Sequence, residues 1–154
     1  MSAPRAGDLY VDGLRYRASC VVYSECMTRV LLVMGRKRVA AGSPSWVLPG
    51  GGVHVGEALA AAAARETMEE AGATGAVSVA PVASVDAGAA RTAVFVMRFA
   101  RFADAGDAAY EDEASRAREW VLTGDVRERL KPKALALWDA AMEGGAEAVC
   151  RAVW

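Results

Sequence analysis

Apolar and β-branched positions dominate the first third of the chain. Residues 17–23 and 29–33 are of this kind and are separated by the polar stretch 24–28, a pattern that predicts a hairpin. Residues 35–45 read as a basic loop punctuated by Gly and Pro, and residues 46–48 as a short strand running into Pro49 and the glycines at 50, 51 and 52. From about 57 to 71 the sequence is strongly helical, with Gly72 placed to end the helix. Two more strands are expected at 76–85 and 92–102 around a turn at 86–90, then an acidic loop at 104–113 and a strand at 117–122. Pro132, at the first helical position, opens a final helix to about Glu143, where Gly144 and Gly145 end it. Leu135, Trp138 and Met142 share its apolar face and are expected in the core. The order β-β-β-α-β-β-β-α predicts a mixed α/β fold with helices covering a sheet. Residues 8–143 are expected to form one domain, and 144–154 a tail that adds a short helix or frays.

A length of 154 residues fits a single domain. With 54% hydrophobic and 24% charged residues the chain can bury a core, which excludes disorder as a description of the whole. Lysine and arginine total 18 against 19 acidic residues, so a strongly cationic nucleic-acid binder is excluded, and capped RNA is the one nucleic-acid partner kept open. The first residues lack the apolar stretch of a secretory signal, and no apolar run approaches the ~20 residues of a membrane span. Cys20, Cys26 and Cys150 form neither an even set nor a CxxC pair, which points to a reducing compartment, cytoplasmic or also nuclear. With His54 the sole histidine, a zinc site lacks ligands.

Chemistry concentrates between Gly51 and Ala73. Glu66, Glu69 and Glu70 stand at i, i+3 and i+4, so their carboxylates share one helix face and repel one another. They also crowd the last turn, where the helix dipole disfavours anions by ~0.3–1 kcal/mol each. Arg65 precedes them and reaches Glu69 at i+4, but one guanidinium is expected to balance one carboxylate only. Taken alone, the trio is equally an exposed acidic helix end. The glycine triplet favours a hard divalent cation, because it lets the backbone approach the helix and bring a carbonyl to the ion. Magnesium suits such oxygen donors better than zinc does, and manganese is expected to substitute for it. His54 is expected as a solvated loop residue.

The spacing Gly51-x5-Glu57-x7-Arg65-Glu66-Thr67-x-Glu69-Glu70-x-Gly72-Ala73 resembles the Nudix box, with Thr67 and Ala73 at its apolar positions. The resemblance implies an α/β/α sandwich with a mixed sheet, a glycine loop leading into the catalytic helix, and hydrolysis of a diphosphate linked to another moiety. By position it implies Glu66 and Glu70 as metal ligands with the Gly50 carbonyl, and Glu69 as a ligand or the base that activates water. Arg65 would orient the glutamates, and Glu57 would support the loop or bind the metal through water.

Trp46-Val-Leu-Pro-Gly-Gly-Gly52, Arg116-Ala-Arg-Glu-Trp120, Lys131-Pro132 and Arg17-Ala-Ser-Cys20 are together similar to the diphosphoinositol polyphosphate phosphohydrolases, which also cleave diadenosine polyphosphates. Such phosphate-rich small molecules require dense cationic coverage. Arg15 and Arg17 alternate on one strand, Arg36, Lys37 and Arg38 lie in the basic loop, and Arg116 and Arg118 alternate again. Arg91 and Lys131 complete the expected set, arginine binding phosphate through its planar fork. Gly88, Ala89 and Ala90 stand where the subfamily carries basic residues, which leaves room for a nucleotide pyrophosphohydrolase acting on nucleoside diphosphate derivatives, nucleoside triphosphates or an RNA cap. Tyr23, Tyr110 and Trp120 are then candidate base platforms. A non-catalytic ligand sensor is the rival of a different class.

Overall fold

A computed structural model describes residues 5–35 and 45–153. Its strands are β1 (Tyr10–Val11), β2 (Leu14–Tyr23), β3 (Arg29–Met34), β4 (Trp46–Val47), β5 (Gly50–Gly52), β6 (Ala73–Val77), β7 (Ala83–Ala87), β8 (Ala90–Phe102) and β9 (Arg118–Leu122). Its helices are α1 (Leu59–Ala71), α2 (Val126–Arg129, after a short 3-10 turn), α3 (Pro132–Glu143) and α4 (Ala146–Arg151). Among the described residues the strands form one mixed sheet with the central order β4-β3-β2-β8-β6. The long strands β2 and β8 run parallel from Arg15↔Ala90 to Tyr23↔Arg98, and their other neighbours are antiparallel.

Period-two alternation sends the side chains of the central strands into two cores. Ala18, Cys20 and Val22 of β2, with Ala93, Phe95 and Met97 of β8, pack on Ala62, Ala63 and Ala71 of α1. Val21 and Tyr23, with Val94 and Val96, face Trp138 and Ala141 of α3 and Ala146 and Cys150 of α4. Helices therefore cover both faces, giving the expected three-layer α/β architecture. Each fully buried Val or Leu contributes ~1.5–3 kcal/mol. The tail is part of this packing, since α4 buries Ala146 and Cys150. No helix among the described residues is long and apolar enough to cross a membrane.

Four expectations need correction. The 24–28 turn forms, but β2 and β3 pair only at Tyr23↔Val30. Beyond it they splay, β2 taking β5 and β8 as neighbours while β3 takes β4 and β9. The single strand expected at 76–85 is two strands, because Pro81 has no N–H to donate and residues 79–81 loop out, leaving Val79 98% exposed. The glycine triplet is a strand and not only a loop, paired as Arg17↔Gly52, Ala18↔Gly51 and Ser19↔Gly50. Of the apolar face of α3, Trp138 is buried and Leu135 partly buried, but Met142 at the helix end is 36% exposed.

Candidate functional site

Helix α1 meets the glycine strand side by side. At Gly51 an added Cβ would land on the Glu66 carboxyl group, and at Gly50 on the backbone of Ala18 and Ser19. Closeness of approach thus requires glycine at 50, whereas a side chain at 51 would push the Glu66 carboxyl aside. Gly72, at φ 64°, ends the helix in the left-handed conformation that favours glycine, its N–H donating to the Met68 carbonyl.

Arg65 is the hub. Its Nε donates to Glu57 Oε2 at 2.9 Å and its Nη2 to Glu57 Oε1 at 3.0 Å and to the Gly52 carbonyl at 2.8 Å. Its Nη1 donates to Glu66 Oε1 at 3.0 Å and to both oxygens of Glu69 at 3.2 Å. One guanidinium therefore spans three carboxylates, more than the single one the sequence spacing suggests. Glu57 in turn accepts the His54 backbone N–H at 3.1 Å, while the His54 residue itself is exposed. The Arg65 hydrogen bonds hold the Glu57 carboxyl below its ordinary pKa.

Glu70 points elsewhere. Its Oε1 accepts the Gly50 N–H at 2.8 Å and its Oε2 pairs with Arg116 Nη1 at 2.8 Å, both side chains only 8% exposed. Arg116 also lies 3.5 Å from Asp112, whose backbone N–H donates to the Glu69 carbonyl at 2.9 Å. Burial raises the Glu70 pKa, with the Gly50 N–H and Arg116 opposing it. Burial, then the charge of Glu69, raises that of Glu66.

Arg17 lies on the face of β2 opposite α1, yet with no side chains on β5 to intervene it is within electrostatic reach of Glu70 and Glu66. Its Nε is buried without a hydrogen-bond partner. Burial, then the charge of Arg15, lowers its pKa. Arg15 pairs with Asp8 at 2.9 Å beside Gly52. An orphaned buried guanidinium nitrogen next to clustered carboxylates is what a polyanion held through a cation would complement.

Among the described residues the other expected substrate cations are engaged by the protein. Arg91 forms a two-pronged pair with Asp86 at 2.7 and 2.9 Å. Arg118 donates to the Ala71 carbonyl at 2.7 Å and stacks 3.7 Å above the Phe102 ring, so it caps the end of α1. Lys131 lies against Gly35, where the Gly35 N–H to Ser45 carbonyl bond of 2.8 Å closes the base of the basic loop. Arg36, Lys37 and Arg38 fall outside the described residues. Tyr23 and Tyr110 are buried, and Trp120 packs edge-on against Phe99 at 5.1 Å. The helix-end roles of Arg116 and Arg118 and the partnership of Asp112 were missed by sequence reasoning. The alternating Arg-x-Arg gave their presence but not their direction.

Among the described residues no three His, Cys, Asp or Glu side chains stand together as an ion-holding group, and Arg65 and Arg116 pair with the glutamates of α1. The donor chemistry nonetheless fits a hard divalent cation. It is all oxygen, comes from one helix face, and includes two carboxyls whose charge burial disfavours.

Comparison with known proteins adds three findings. The model of the NUDIX domain family matches residues 13–142. A MutT structure, from work on the fish pathogen Aliivibrio salmonicida and on Vibrio cholerae, is 16% identical. It superposes with a TM-score of 0.61 over 84% of this chain and 98% of its own. A NUDIX hydrolase of Nitrosomonas europaea is 18% identical, with a TM-score of 0.61 over 85% of this chain and 90% of its own. These likenesses are of fold.

Proposed function

Because the chain belongs to the Nudix hydrolase family, whose members are pyrophosphohydrolases, we propose that it hydrolyses the phosphoanhydride of diphosphoinositol polyphosphates and also cleaves diadenosine polyphosphates. The observation that carries a hydrolytic reading is the acidic face of α1 packed on a strand of three glycines, beside the orphaned Nε of Arg17. Glu66, Glu70 and the Gly50 carbonyl are assigned to hold Mg2+, for which Mn2+ substitutes. When bound, the cation neutralises phosphate oxygens and promotes attack by water.

The remaining roles belong to side chains. Glu69 is assigned as the base, being the most accessible of the three glutamates at 25% exposed against 13% for Glu66 and 8% for Glu70. The water oxygen forms a bond to phosphorus, its proton passes to Glu69, and the anhydride P–O bond breaks. Arg65 orients Glu66 and Glu69, and Glu57 fixes Arg65. Arg17, with Arg15 behind it, grips phosphate, joined by the basic loop. A cytoplasmic setting and a small-molecule partner belong to the same reading, supported by three free thiols.

A second reading, a nucleotide pyrophosphohydrolase, is favoured by one observation. Arg91, Arg116 and Arg118 are engaged within the protein, which leaves a lighter phosphate grip than a ring of phosphates requires. A substrate panel with Mg2+ separates the two. Inorganic phosphate released from an inositol pyrophosphate is the expected result, and turnover of nucleotides alone would replace the first reading with the second.

A further inference from the structure

The Glu70–Arg116 pair bears on how the site takes up its cation. Both Glu70 oxygens are engaged, Oε1 by the Gly50 N–H and Oε2 by Arg116. A cation reaching Oε2 therefore meets the like charge of a guanidinium held at 2.8 Å, in a pocket where neither partner is more than 8% exposed to water that could screen the two. Leaving a buried arginine with no counter-charge is costly. The structure supplies the alternative partner: Asp112, at i−4 from Arg116, stands 3.5 Å from its Nε, a longer contact than the 2.8 Å to Glu70. Asp112 is also tied to α1 through its N–H on the Glu69 carbonyl, so the acceptor is fixed to the helix that carries Glu70.

We infer that Arg116 is a positioning residue that holds the Glu70 carboxylate in place and is handed to Asp112 when Glu70 takes up a divalent cation. This rests on the assignment of Glu70 as a ligand. Its consequence is that the acidic loop between β8 and β9 responds to the metal, through the Asp112 N–H to Glu69 and the Arg116 N–H to Asp112 bonds of 2.9 and 3.0 Å. The two residues then act in opposite directions. Arg116 competes with the cation for Glu70, and Asp112 relieves that competition.

The test is Mn2+ affinity of the full chain, read from the paramagnetic signal of free ion, with no substrate present. Arg116→Gln should bind Mn2+ roughly tenfold or more tightly than the native chain, and Asp112→Asn more weakly. In the Arg116→Gln background, Asp112→Asn should have a smaller effect, since the hand-over from Glu70 is gone. Equal or weaker binding by Arg116→Gln overturns the hand-over. So does an Asp112→Asn effect of the same size in both backgrounds, which is plain field electrostatics. Glu70→Gln separates this failure from that of the underlying assignment: native Mn2+ affinity in that variant removes Glu70 as a ligand altogether. Should Arg116→Gln not fold, hydrogen exchange of the native chain decides. Mn2+ should change exchange at residues 110–117 in the native chain and not in Glu70→Gln, and no change in the native chain overturns the inference.

Discussion

Arg65 touches three carboxylates and a carbonyl, and every one of its partners lies within about four helical turns of sequence or in the adjoining glycine strand. That locality is why the acidic face and its arginine were legible from spacing alone. Arg116 and Asp112 reach Glu70 from more than forty residues downstream, and nothing local marks such a meeting. Glu57 gives a pH test. Its carboxyl titrates below its ordinary value in the folded state, so its stabilisation is present above the unfolded Glu pKa of ~4.3 and is lost as pH falls through the folded value. Glu57→Gln should lower thermal stability at pH 7 by ~1–3 kcal/mol. The difference from the native chain should vanish well below pH 4, and a constant difference would refute the pairing. Gly51→Ala should lower kcat for phosphate release while the melting temperature stays near native, as its methyl group pushes the Glu66 carboxyl aside. Cys26 gives a second titration. The hydroxyl of Thr28, 2.9 Å away, lowers its thiol to about 7, whereas burial raises Cys20 to about 12 and Cys150 to about 11. Alkylation of the native protein should modify one thiol, with a rate rising through pH 7; labelling of all three would contradict the packing.

At the scale of elements, helices were read closely because their ends carry chemical signals. Pro132 opens α3 and Gly72 closes α1 as expected. Strands were read less well because a strand is defined by its partner. Residues 50–52 have no side chains to alternate, and β1 is two residues long, so neither has a periodic signature. The division of 76–85 into two strands follows from Pro81, and both pieces still pair with β8. Helix α1 has no basic residue in its last turn, and the cation that complements its C-terminus is Arg118 on β9. Arg118→Ala should therefore lower the melting temperature, at a cost of ~1–3 kcal/mol, while leaving KM for phosphorylated substrates nearly unchanged. A large rise in KM with native stability would restore Arg118 to the phosphate grip.

Across the whole molecule, alternation on β2, β3 and β8 separates two cores, and that separation sets the site. One core fixes α1 against the sheet, the other carries α3 and α4, and the glycine strand lies beside β2 where β3 has splayed away. The three-layer class was legible because period-two and helical patterns alternate along the chain. The splay was not, because it depends on which strands β3 chooses beyond Tyr23↔Val30. The account as a whole stands on the acidic face of α1 serving a cation that hydrolysis requires. Its most direct test is the rate of phosphate release at saturating Mg2+ from the best substrate of the panel, compared between the native chain and a folded Glu70→Gln variant. The account predicts a fall in kcat of about a hundredfold or more; native turnover by the variant would contradict it.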